Sequence, residues 1–233
     1  LKDSIVIGNN HEVFQNTKQT LVVGTENYSS LNNNNAILGY KNYSRLNDSA
    51  LTCGSDNKLI ETTNTTVIGE ANDVSGNTIN TFVSGKANTD NSGNINTITG
   101  FNNSAINSHT ALTSGRKHNI SNGFDNVSFG VQNTLNNNKR SLVSGIKNII
   151  TDASNTIVFG SVNNVNNNTT GGITAGTGNN VNNGTRNIIL GESQDVANGI
   201  NNFITGKSNI VTNGTNTITT GLSEIIENTN NFF

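Results

Sequence analysis

The sequence predicts an all-β solenoid: about fifteen short coils, two short parallel strands in each, forming one repeat array over residues 1–233 with no internal boundary. Three observations predict it. A glycine closes a short apolar run every 15 or 16 residues. The apolar residues recur at fixed places between these glycines, without the 3.6-residue rhythm of an amphipathic helix. Proline, which would interrupt a continuous hydrogen-bonded ladder, is absent. A unit this short buries too little to fold alone, so it must stack on its neighbours.

The marker glycines are Gly8, Gly24, Gly39, Gly54, Gly69, Gly85, Gly100, Gly115, Gly130, Gly145, Gly160, Gly176, Gly191, Gly206 and Gly221. Positions below are counted from the marker, negative before it and positive after. Three intervals are 16 residues long: Gly8 to Gly24, Gly69 to Gly85 and Gly160 to Gly176. The extra residue should bulge a loop and leave the strand register intact. The run before each marker is rich in Val, Ile, Leu, Phe and Thr, as in Leu21-Val22-Val23 and Ile188-Ile189-Leu190, and reads as the first strand.

A second strand follows, with its core residue at +5: Val13, Leu59, Val74, Ile120, Leu135, Ile150, Val165, Val181, Val196, Val211 and Ile226. Position +3 is Asn in eleven coils, from Asn27 to Asn209, and His11, His118, Gln194 or Glu224 in the rest. A side chain that both donates and accepts can bond the turning backbone, and stacked copies can bond each other. The return turn carries Gly93, Gly123, Gly184, Gly199 and Gly214, with Asn16, Asn32, Asn47, Asn138 and Asn168 at corresponding places. These residue types suggest left-handed backbone there.

Alternate residues of a strand face opposite sides, and here both sides are apolar. Taking −3 and −1 as the inside, the sequence predicts an exposed stripe at −2: Val6, Val22, Ile37, Val67, Val83, Ile98, Val143, Val158, Ile189 and Ile204. Such a stripe marks a lengthwise interface between chains.

Composition narrows the function. Hydrophobic residues are 31% of the chain and asparagine fills fifty positions, a disorder-like balance were the apolar residues not periodic. Net charge is −2 with 12% charged residues, which argues against nucleic acid or an anionic membrane as partner. No apolar run reaches membrane-spanning length. The chain begins in mid-pattern at Leu1, which reads as a piece of something longer. The single Cys53 excludes an intrachain disulfide and reads as a small buried filler. His11, His109 and His118 and the scattered acids make no catalytic or metal-ligating cluster. Gly171-Gly172 and Thr177-Gly178 lack the lysine of a phosphate loop. No catalytic residue, cofactor or metal is expected, and the protein is not expected to be an enzyme.

Units such as Asn187-Ile188-Ile189-Leu190-Gly191 and Asn155-Thr156-Ile157-Val158-Phe159-Gly160 resemble the head repeats of trimeric autotransporter adhesins, whose N-x-x-A-x-G or S-x-A-x-G phrase recurs at about the same period. The Asn-rich, proline-free style is similar to versions in Gram-negative anaerobes such as fusobacteria. The small Ala of the phrase is often Val, Ile or Thr here. The resemblance implies a left-handed parallel β-roll and a homotrimer. It implies a head held off the bacterial outer membrane by a neck, stalk and β-barrel anchor outside this sequence, with Asn230-Asn231-Phe232-Phe233 approaching the neck. It also implies attachment to a host receptor: a carcinoembryonic-antigen-related adhesion molecule, collagen or fibronectin.

Scarce aromatics are the candidate receptor contacts. Tyr28 and Tyr43 stand at +4 in successive coils, with Tyr40 nearby and Ser29 and Ser44 in the core slot. Either the tyrosines turn inward to replace the missing valine, the favoured reading, or they form an exposed patch. Phe101 and Phe124 are expected to protrude as interface anchors. Lys117, Arg116, Lys139 and Arg140 read as a solvated rim. A rigid spacer without a ligand and a polysaccharide-processing solenoid enzyme are the competing readings.

Overall fold

The computed structural model describes residues 2–14 and 16–228; Asn230-Asn231-Phe232-Phe233 lie outside the described residues. Those described form thirty strands and no helix. The chain divides into two compact units, residues 1–117 and 118–233, each described by itself.

In the first unit, eight first strands, from Ile5–Asn9 to His109–Arg116, pair in sequence order into one parallel sheet. Seven second strands, from Glu12–Val13 to Ser104–Ile106, form another. In the second unit, seven first strands run from Phe124–Val131 to Ile218–Leu222, and eight second strands from Asn119–Ser121 to Ile225–Glu227. A third column of single bridges completes the coils, as in Lys18↔Asn33↔Asp48 and Thr185↔Ile200↔Thr215. The predicted solenoid with two strands per coil is therefore observed.

Glycine stacks on glycine in register, for example Gly24↔Gly39 and Gly191↔Gly206. Two restrictions act at once on the markers. Their φ lies between 109° and 138°, a range that side chains disfavour. A Cβ on Gly39 or Gly191 would lie 2.0 Å from the carbonyl oxygen of the next marker. The 16-residue intervals keep this register, as Gly69↔Gly85 and Gly160↔Gly176 show. In the coil of Gly69 the second strand slips between Ser75 and Thr78, and the bulge contains Gly76 and Asn77 at φ 79° and 62°.

The core lies between the two sheets of each unit, and its first column corrects the sequence reading. Val22, Ile37, Val67, Val83, Ile98, Val143, Val158, Ile189 and Ile204 are 0–1% exposed within the single chain. They fill the inside of the coil and cannot form a contact between chains. Val6, in the first coil, is the one residue of that set left exposed. The inward face of the first strand is −2; positions −3 and −1 face out. The second column is at +5 as predicted, with Leu59, Val74, Ile120, Leu135, Ile150, Val165, Val181, Val196 and Val211 buried.

Position +3 forms the amide ladder. Asn42 Nδ2 donates to Gly54 O at 2.9 Å and to Asn27 Oδ1 at 3.1 Å, and its Oδ1 accepts from Asn57 N and Nδ2 at 3.2 and 3.0 Å. Every buried polar atom of this side chain is thus used. The histidines take the same role. His11 Nδ1 accepts from Asn27 N and its Nε2 donates to Ile7 O. His118 bridges Ser128 Oγ, at 3.0 Å, and Gly130 O, at 2.9 Å.

The turn glycines correct a second expectation. Gly93, Gly123, Gly184, Gly199 and Gly214 are not left-handed, and among the asparagines named with them only Asn168 is. They are needed for space: a Cβ on Gly93 or Gly123 would lie 2.1 or 2.3 Å from the amide nitrogen of Asn96 or Asn126, three residues on. Left-handed residues occupy three other corners of most coils, as Lys41, Leu46 and Ser49 do after Gly39.

Candidate binding surfaces

Two surfaces stand out from an exterior rich in Asn, Ser and Thr, on which other apolar residues such as Ile95, Ile149 and Val162 are also exposed. The first is the outer face of the first strands, at −3 and −1. In the first unit it carries Leu21, Val23, Leu38, Leu51, Ile68 and Phe82; in the second, Phe129, Ile157, Phe159, Ile188, Leu190 and Phe203. Many are more than a third exposed, Phe159 and Ile68 among them. An apolar stripe therefore does run along each unit, on the side opposite to the one read from the sequence. Cys53 belongs to this outer face at −1, half-buried rather than a core filler, and burial pushes its thiol pKa up.

The second surface covers the second strands near the start of the chain. Tyr28 and Tyr43 stack with ring centroids 4.4 Å apart and planes 9° apart, and Phe14 leans on Tyr28 at 5.3 Å. The expectation that the tyrosines replace a core valine is not met. They lie half-buried outside the strand, while Ser29 and Ser44 occupy the core slot fully buried. The missing volume is taken by Asn32 and Asn47, whose Nδ2 atoms reach Ser29 Oγ and Ser44 Oγ at 2.8 Å. Desolvation, then Tyr28 beside it, pushes the Tyr43 hydroxyl pKa up. Leu31 and Leu46, directly after the strands of Tyr28 and Tyr43, are exposed and left-handed at φ 56° and 58°.

Each remaining candidate aromatic is exposed under a cation. Lys41 Nζ lies 4.9 Å from the Tyr40 ring centre, Arg116 Cζ 5.7 Å from that of Phe101, and Lys139 Nζ 6.0 Å from that of Phe124. Tyr40 and Phe101 are at +1 in the first unit, and Phe124 is in the bridge column of the second. The structure thus brings Tyr28 and Tyr43 together and leaves Phe101 away from them. Four cross-coil ion pairs, Lys41–Glu26, Lys58–Asp73, Lys86–Glu70 and Lys207–Glu192, are half-exposed and add little stability.

Sequence reasoning missed Asp90. It stands at +5, in the column of Leu59 and Val74, and is 0% exposed. The signal was present as an acid in an apolar slot. Among the described residues no group of three or more His, Cys, Asp or Glu could hold a metal ion. Among the described residues no helix is long and apolar enough to cross a membrane. Comparison with known protein families and with curated proteins finds no match.

Proposed function

We propose that this chain is the head of a bacterial cell-surface adhesin, a stiff stack of coils that associates lengthwise with copies of itself and attaches to a protein on a host cell. The observation that carries the reading is the half-buried Tyr28–Tyr43 stack on the outer side of the second strands, with Phe14, Leu31 and Leu46 exposed in the same coils. Leucine in a left-handed corner costs about 1–2 kcal/mol, and an exposed leucine gains little burial in return; Ile95 and Val162 stand singly in this way elsewhere, whereas Leu31 and Leu46 follow the two successive strands that carry the stacked tyrosines. Bulky apolar groups around an aromatic stack are what a protein partner buries. Adhesion, three-fold assembly and an outer-membrane anchor come from the resemblance to trimeric autotransporter heads. A member of the carcinoembryonic-antigen-related adhesion molecules, collagen or fibronectin is the corresponding kind of partner.

Self-association is assigned to the −3 and −1 face. Replacing Ile188 and Phe203, both more than a third exposed, with serine should lower the sedimentation coefficient and leave the circular dichroism unchanged. A wild-type chain that sediments as a folded monomer at micromolar concentration would remove this part of the reading. Attachment is tested by saturable binding to a panel of host surface proteins, comparing wild type with a Tyr28→Ser/Tyr43→Ser variant. Binding should fall at least tenfold, roughly 1.4 kcal/mol. If the folded wild type binds nothing, the spacer reading takes its place. That reading has its own support in the second unit, where exposed asparagines bond coil to coil, Asn183 to Asn198 to Asn213 to Asn228.

A further inference from the structure

The +5 column of the first unit contains one ionisable side chain. Asp90 is paired along its sheet with Val74 on one side and Ala105 on the other. The adjoining core residues Val67, Val83 and Ile98 are apolar and fully buried. Asn96 Nδ2 donates to Asp90 Oδ1 at 2.9 Å. Asp90 Oδ2 is buried without a hydrogen-bond partner; the Thr81 hydroxyl is close enough to favour its charge but makes no hydrogen bond of good geometry. Gly93 keeps the space open, since a Cβ there would lie 2.5 Å from Asp90 Oδ1.

Among the described residues no cation is paired with the carboxylate. The charged residues on the strands packed around it are Asp73, paired with Lys58, and Lys86, paired with Glu70; both pairs are half-exposed on outer faces. Strands Thr97–Phe101 and Ser104–Ile106 carry no charged residue. The nearest imidazole along the chain, His109, bridges to Asn94 in the third column.

We infer that Asp90 is a proton switch built into the core of the first unit: the neutral acid packs, and the carboxylate loosens the coils around it. A lone carboxylate in an apolar slot loses its hydration and gains one amide donor in exchange. Protonation removes the charge and gives the carboxyl a donor of its own. Burial pushes the Asp90 pKa up to about 6, against the opposing pull of Asn96 and Thr81. Because the folded value is raised above the unfolded one, the proton-linked stability is fully present below about pH 4, declines as pH rises, and is lost above about pH 6. Over the full range this is roughly 100-fold in the folding constant, and between pH 5 and 7.5 roughly tenfold.

Amide hydrogen exchange on the full chain tests this at residues 89–91 and at Val83 and Ile98. Corrected for intrinsic rates, wild-type protection should fall about tenfold from pH 5 to 7.5, and that of Asp90→Asn should stay flat. A His109→Gln control should retain the wild-type dependence. Flat wild-type protection, or an unchanged dependence in Asp90→Asn, overturns the inference. Should Asp90→Asn fail to fold, carbon-13 NMR of the wild-type carboxyl decides: a midpoint near pH 6 supports the switch, and one at or below about pH 4 overturns it.

Discussion

The coils of Gly24 and Gly39 and the coils of Gly191 and Gly206 share one strand register and have opposite polarity in the slot and corner of the second strand. In the first pair the core slot holds Ser29 and Ser44, the turn holds Asn32 and Asn47, and the outer strand and corner hold Tyr28, Tyr43, Leu31 and Leu46. In the second pair the core slot holds Val196 and Val211, the turn holds Gly199 and Gly214, and the corner holds Asn198 and Asn213. In the +5 slot and the +7 corner, polar-in and apolar-out is exchanged for apolar-in and polar-out without a change of register, while the −2 column stays apolar and buried in both pairs. The path of the coil is therefore set by what both pairs keep: the marker glycine, the β-branched −2 residue and the +3 amide. The other columns are free to vary in polarity.

The largest effect is expected where the two regions agree. Gly39→Ala and Gly191→Ala each drive a Cβ into a backbone oxygen that cannot move, and each should destabilise its unit by more than about 4 kcal/mol in urea denaturation. Gly199→Ala meets only side chains, Asn202 Nδ2 at 2.7 Å and Val196 Cγ1 at 2.9 Å, and should cost about 1–3 kcal/mol. Equal losses at marker and turn would erase the distinction between them. Next comes Asn42→Ala, which strands the neighbouring donors and acceptors; a loss of about 3 kcal/mol is expected. The exposed Asn201 donates to Asn216 Oδ1 at 2.9 Å and stands left-handed at φ 56°; alanine there should cost about 1–2 kcal/mol, nearly all of it backbone strain. The smallest change has the opposite sign. Leu31→Asn, which copies the corner of the second region, should raise thermal stability by about 1 kcal/mol while weakening partner binding. A destabilised Leu31→Asn would mean that this leucine serves the fold.

The coil period, both strands and the amide ladder were legible because each depends on a residue type repeated at a fixed interval. The inside and outside of the first strand were not, because Leu21, Val22 and Val23 are all apolar and alternation carries no sign when both faces are. Size carries the missing information. The −2 column contains only Val, Ile, Thr and Ser, whereas the flanking columns range from Ala36 to Phe82. A narrow interior between two sheets accepts only side chains of similar reach, so uniform size marks the inside. The turn glycines were misread for a related reason. Gly93 and Gly123 suggested unusual backbone angles, but the restriction comes from Asn96 and Asn126 filling the space beside them. Tyr28 and Tyr43 could not be placed from sequence because the asparagines that substitute for the missing valine lie three residues beyond the slot.

The one-residue insertions after Gly69 and Gly160 are absorbed locally, and the next marker still falls on its partner. A whole coil duplicated or deleted between equivalent glycines would be absorbed in the same way, since each coil consults only the one before and the one after. Length is thus open to change by recombination in steps of one repeat. Copy number would then set the length of the stack and leave the coils of Tyr28 and Tyr43 untouched.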